Sequence, residues 1–147
     1  MEKQSIKGKR RGRRLVLQAL YQWLMSGAVL TDIEAQFRVA NDMSRVDDTY
    51  FCRLLHGIPT QLNSLEQAFS PFLDRPINSL NPIELTVLRI STYELLNCPE
   101  IPYKVVLDEA ISMAKEFGSQ DGHRYVNGVL NNVAQKARMV EINLSKE

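Results

Sequence analysis

An all-α fold of about six or seven helices is what this sequence predicts, and three observations carry the prediction. Apolar residues recur at steps of three and four through most of the 147-residue chain. No stretch alternates apolar and polar residues in the manner of a half-buried strand. Gly, Pro and Asn fall where periodic segments stop and so mark them off as separate helices. The length suits one well-cored domain or two tightly joined lobes.

The first helix is expected over about 13–26, where Val16, Leu17, Leu20, Trp23 and Leu24 share a broad apolar face and Gly27 supplies a stop. Residues 1–12 read as a flexible basic arm: residues 1–9 have little to bury, and Gly12 adds backbone freedom. Thr31 is placed to cap a second helix over about 32–41, with Glu34 at capping-box spacing and Ile33, Phe37 and Ala40 inward. From about 47, Phe51, Leu54, Leu55, Ile58, Leu62, Leu65 and Phe69 form one long helix or two segments broken near Gly57–Ile58–Pro59. Asn81 and Pro82 then open a helix over about 82–97 that is apolar on nearly every side, as a central, enclosed helix would be. A further helix over about 103–117 carries Leu107, Ala110, Ile111, Ala114 and Phe117, and Gly118 ends it. Asp121 starts the last, lined by Val126, Val129, Leu130, Val133, Ala137 and Val140 to about 143. A short joint near 71–81 is expected to separate helical lobes over about 13–71 and 82–144, within a single domain covering 13–147.

Charge is unevenly distributed. The first fourteen residues hold seven Lys or Arg against one Glu, or +6, whereas residues 15–147 sum to −5, leaving the chain at +1. Lys9, Arg10, Arg11, Arg13 and Arg14 crowd an expected helix start, where the helix dipole and like-charged neighbours both repel them. Such a run is a nucleic-acid contact, a dock for acidic protein surfaces, or a solubilising tail. No apolar run approaches the ~18 residues of a membrane span, so no membrane partner is expected. Cys52 and Cys98 match no metal spacing and, with no secretory signal, read as reduced thiols of a cytoplasmic protein.

Catalytic patterns are missing. His56 and His123 stand alone, Ser119 lacks a nucleophile turn, and Gly118–Gly122 lacks the Lys and hydroxyl of a phosphate loop. No enzyme activity, metal or cofactor is expected. The segment GSQDGHRYVNG is more informative. Arg124 supplies charge, and Tyr125 is either a stacking platform or core. Asp121 is either a hydrogen-bonding reader or a cap, and His123 a supporting contact or a plain helix residue. Gly128 would permit close helix packing. Phe72, after Pro71, is a second aromatic, for packing or for contact.

Together, KRRGRRLVLQALYQW, YFCRLLHGI, LRISTYEL, PYKVVLDEAISMAKEFG and HRYVNGVLNNVA, in this order, resemble the bacterial transcription antitermination factor NusB family over most of residues 9–137. That resemblance implies a compact helical RNA binder with two small subdomains. It implies binding to single-stranded boxA RNA together with the ribosomal protein NusE, within an RNA polymerase antitermination complex that supports ribosomal RNA transcription. By position, Lys9, Arg10, Arg11, Arg13, Phe72, Asp121, Arg124 and Tyr125 match RNA-contacting positions, with Arg14 adjoining them. Tyr21, Met25 and Glu84 match positions facing NusE. Lys9 stands for an arginine, Arg14 for an often acidic residue, and Phe72 and Tyr125 exchange the usual aromatic types. The implied mechanism is an arm that orders on phosphates while the aromatics hold unstacked bases. Some family members self-associate, so monomer and homodimer both stand open. The rival reading is a helical interaction scaffold whose arm docks on acidic proteins.

Overall fold

A computed structural model describes residues 2–146, with side chains from Ile6 to Lys146. The described residues form eight α-helices and three short 3-10 turns, with no strand among them. The class is as expected; the middle element takes its two-segment form, and the count exceeds seven because the last expected helix also divides. The chain separates into two compact units, Met1–Thr60 and Gln61–Glu147. The boundary expected near 71–81 therefore falls inside the second unit.

The first unit contains α1 (Glu2–Ser26), α2 (Leu30–Ala40) and α3 (Asp48–Thr60), with a 3-10 turn at Met43–Arg45. Helix α1 packs on both α2 and α3, and Val16, Leu17, Leu20, Ile33, Phe51, Leu54, Leu55 and Ile58 make the core. Helix α1 begins at Glu2 and not near 13, so the expected basic arm is helical where it is described; Met1 lies outside the described residues. The cause is packing. The Asp47 N–H donates to the Gly8 carbonyl at 3.1 Å, and a Cβ on Gly8 would stand 3.0 Å from that nitrogen. Gly12 is likewise covered by Phe51 and the Asp47 carbonyl, with 3.7 Å to each from a Cβ position. Tertiary contact thus offsets the cost of two glycines in a helix.

Gly27 ends α1 at φ +68°, its N–H donating to the Trp23 carbonyl at 3.0 Å. The expected Thr31 capping box does not form. Helix α2 starts two residues earlier, after Val29, with no side-chain cap, and Glu34 turns instead to His56 (2.7 Å) and Arg38 (3.0 Å). Of the three expected inward residues only Ile33 is buried; Phe37 is half-buried and Ala40 exposed. Pro59 lies inside α3, and the break comes after it, at Gln61.

The second unit contains α4 (Leu62–Phe69), α5 (Pro82–Asn97), α6 (Tyr103–Phe117), α7 (Gly122–Ala137) and α8 (Met139–Ser145). Asn81 Oδ1 caps α5, accepting from the N–H groups of Ile83 (2.8 Å) and Glu84 (3.4 Å). Every residue from Glu84 to Leu95 is buried, and α4, α6 and α7 all pack on α5. The central helix is therefore the one expected. The last predicted helix divides at Arg138, which leaves Val140 exposed on α8 and not in the core. Arg138 is itself buried: Nε donates to Leu95 O (2.8 Å), Nη1 to Ile101 O (2.9 Å) and Nη2 to Glu94 O (3.1 Å) and Cys98 O (2.9 Å). One guanidinium so gathers four carbonyls at and just beyond the C-terminus of α5, those of Glu94 and Cys98 also accepting the N–H groups of Cys98 and Ile101 at 3.0 Å each.

Candidate nucleic-acid interface

In the first unit the cations extend along α1 beyond its first turn. Helix-dipole repulsion has largely faded there, so mutual repulsion is the larger remaining cost. Part of that cost is met locally. Lys9 Nζ pairs with Asp47 Oδ2 at 3.0 Å and lies 5.4 Å from the Tyr50 ring centroid. Burial would push the Asp47 carboxyl up, but the Tyr50 N–H and Lys9 outweigh it and hold it below the usual range. Arg13 also lies 5.4 Å from that centroid and is only 2% exposed. Arg13 thus packs against Tyr50 with almost none of its surface facing solvent. Arg10 and Arg11 are exposed; Arg11 Nη1 reaches the Arg45 carbonyl at 3.5 Å. Arg14 is half-buried and folds back to the Arg10 carbonyl at 3.3 Å. Tyr50, with Arg53 also over its ring at 5.9 Å, was not singled out from sequence. Two of the cations over its ring, Lys9 and Arg13, come from α1 while Tyr50 lies on α3, which no local pattern displays.

The second unit brings α7 to the segment after α4. Tyr125 is half-buried, and its hydroxyl accepts the Asp74 N–H at 3.3 Å. Burial pushes the phenol above its ordinary value, and the Asp74 N–H and Arg75 offset only part of that. Arg75 lies over the ring, 4.6 Å from its centroid. Phe72 is half-buried, with Lys136 Nζ 5.4 Å from its ring centroid. Arg75 and Lys136 escape sequence reading because each is a lone cation outside any basic run.

Asp121 precedes α7, yet its side chain makes no cap hydrogen bond. Asp121 and Arg124 are both exposed, and neither side chain has a protein partner among the described residues. The His123 Nδ1–H donates to the Gln120 carbonyl at 3.1 Å, a local role. Gly128 is exposed, with nothing within 4 Å of a Cβ position, so the expected close helix packing there is absent.

Of the residues matched to a protein partner, Tyr21 is half-buried and Met25 is 58% exposed on α1. Glu84, in the second unit, is only 7% exposed. Among the described residues no group of His, Cys, Asp and Glu could hold a metal ion, and no helix is long and apolar enough to cross a membrane.

Each unit thus sets cations over an aromatic ring on an all-helical scaffold, chemistry that suits a helical protein with a polyanionic partner. The NusB family model matches residues 10–135, and the chain belongs to the NusB family. The transcription antitermination protein NusB of Legionella pneumophila is 67% identical over 147 residues, covering 100% of both chains. The solved structure of T. maritima NusB is 32% identical, with a TM-score of 0.76, covering 87% of this chain and 91% of that one. A structure of antitermination factors NusB and NusE in complex with dsRNA superposes with a TM-score of 0.74 over 92% of this chain and 99% of that one. At 20% identity that likeness concerns the fold. The family is one of transcription antitermination proteins and not of enzymes.

Proposed function

We propose that this chain is a cytoplasmic antitermination factor that binds single-stranded boxA RNA together with ribosomal protein NusE and supports ribosomal RNA transcription within an RNA polymerase complex. The observation that carries the reading is the placing of cations over aromatic rings on each unit of a NusB-family chain, with Arg10 and Arg11 exposed beside Lys9 on the first. On the first unit, Lys9, Arg10, Arg11 and Arg14 would meet phosphates. On the second, Phe72 and Tyr125 would hold unpaired bases, Arg124 would meet a phosphate, and the uncapped Asp121 carboxylate would accept from a base or ribose edge. Tyr21 and Met25 form the candidate NusE patch of the first unit, and the small exposed part of Glu84 is a candidate on the second.

Fluorescence titration with boxA RNA, a scrambled single strand and a duplex, each with and without NusE, tests the reading. Binding should favour boxA, most strongly with NusE present. Arg10→Ala with Arg11→Ala should lower the log–log salt slope by about 1.4, two single-strand phosphate contacts. Equal binding to all three RNAs under both conditions would favour a scaffold for acidic proteins and end the boxA assignment.

A further inference from the structure

Arg75 stands outside the basic run, yet it is the most closely held cation–aromatic partner in the second unit. Its guanidinium carbon lies 4.6 Å from the Tyr125 ring centroid. Its edge is fixed by Asp74: Nε donates to Oδ1 at 2.6 Å and Nη2 to Oδ2 at 3.1 Å. Asp74 also donates its backbone N–H to the Tyr125 hydroxyl at 3.3 Å. The three residues therefore orient one another.

This pairing decides what Arg75 can offer a nucleic acid. Its charge is balanced by Asp74, so a phosphate would have to displace or sit beside a carboxylate. Its plane is a different matter. The side chain is 46% exposed, and a guanidinium is flat, weakly hydrated and able to stack on a base. Lys136 over Phe72 has no such plane, because an ammonium is a point charge.

We propose that Arg75 is a base-stacking residue. Held over the Tyr125 ring by Asp74, its guanidinium takes an unpaired nucleobase on its outer face and completes a three-layer stack of base, guanidinium and phenol ring. The inference deepens the RNA reading above and rests on it.

The test uses the full chain with NusE and a fluorescein-labelled single-stranded boxA RNA, titrated across a salt series. Arg75→Ala should weaken binding about 5- to 100-fold, the range of one lost stacked base. The salt slope should stay at the wild-type value, because no phosphate contact is removed. Arg75→Lys should bind within about threefold of Arg75→Ala, since charge without a plane cannot restore the stack. Wild-type affinity in Arg75→Lys, or a slope lowered by about 0.7, would make Arg75 a phosphate contact and overturn the proposal. Unchanged or tighter binding by Arg75→Ala would overturn it too, leaving Arg75 as a mere cover on Tyr125. Circular dichroism of both variants checks the fold, and the lysine variant decides alone if the alanine variant unfolds. A wild-type chain that ignores boxA defeats the RNA reading and this inference together; a binding wild type with an indifferent variant defeats the inference alone.

Discussion

Replacing Arg138 with Met keeps much of the side-chain volume and removes the guanidinium from the second unit. Four backbone carbonyls, those of Glu94, Leu95, Cys98 and Ile101, lose a charged donor, and Glu141 Oε1 loses a 2.6 Å ion pair. Each charge-assisted bond contributes about 1.5–3 kcal/mol, but the sum overshoots, because methionine avoids the desolvation that buried arginine suffers. Breaking a buried charged network by removing one partner costs about 3–5 kcal/mol net. At roughly 3 °C per kcal/mol for a chain of this length, Tm should fall by about 10–15 °C. Thermal unfolding followed by circular dichroism reads this directly. Arg138→Lys should recover less than half, since one ammonium cannot serve carbonyls that diverge around a planar fork. A loss below about 3 °C in Arg138→Met would refute the view that the second unit depends on this buried guanidinium.

Two further outcomes follow from the same reasoning. Burial would raise the Glu141 carboxyl, but the Tyr103 N–H and Arg138 outweigh it, so the folded value lies below the ordinary one. The unfolded chain then takes up its proton first as pH falls, and the stability this carboxylate contributes, intact above the ordinary carboxylate range, is lost as pH drops through the folded value. Urea unfolding over that acid range should show a shallower decline for Glu141→Gln than for the wild type; parallel curves would contradict the assignment. Gly128→Ala, at an exposed mid-helix position with open space at Cβ, should stabilise α7 by about 0.5–1 kcal/mol and raise Tm by about 2–3 °C, while a lower Tm would reveal a packing role not visible here.

Local patterns carried much of the architecture. The Asn81–Pro82 start of α5 and its all-round apolar composition were legible because capping chemistry and enclosure both write themselves into consecutive residues. What failed to show was long-range. Gly12 read as a loosening residue and Gly8 as part of a stretch with little to bury, whereas contact with Asp47 and Phe51 makes both the reason α1 can approach α3. Arg13 looked like its neighbours in the basic run, and only the position of Tyr50 marks it as buried. Thr31 had cap spacing, but partners on α3 and later in α2 claim Glu34. Arg75 and Arg138 are single cations in unremarkable surroundings, each defined by groups far along the chain. For the candidate interface, then, residue chemistry was readable and residue availability was not.

The seating of Gly8 on Asp47 has a consequence for the manner of capture. Cations on a loose tail could reach out early and wrap whatever polyanion they met. Mounted on a clamped rod, they instead resemble the teeth of a comb, their spacing settled when the protein folds. Under the proposed function, a strand would have to arrive in an acceptable orientation, so encounters would be less often productive, but little backbone freedom would remain to be surrendered once it did. Selectivity for a strand's path, rather than for its charge alone, would follow from that arrangement.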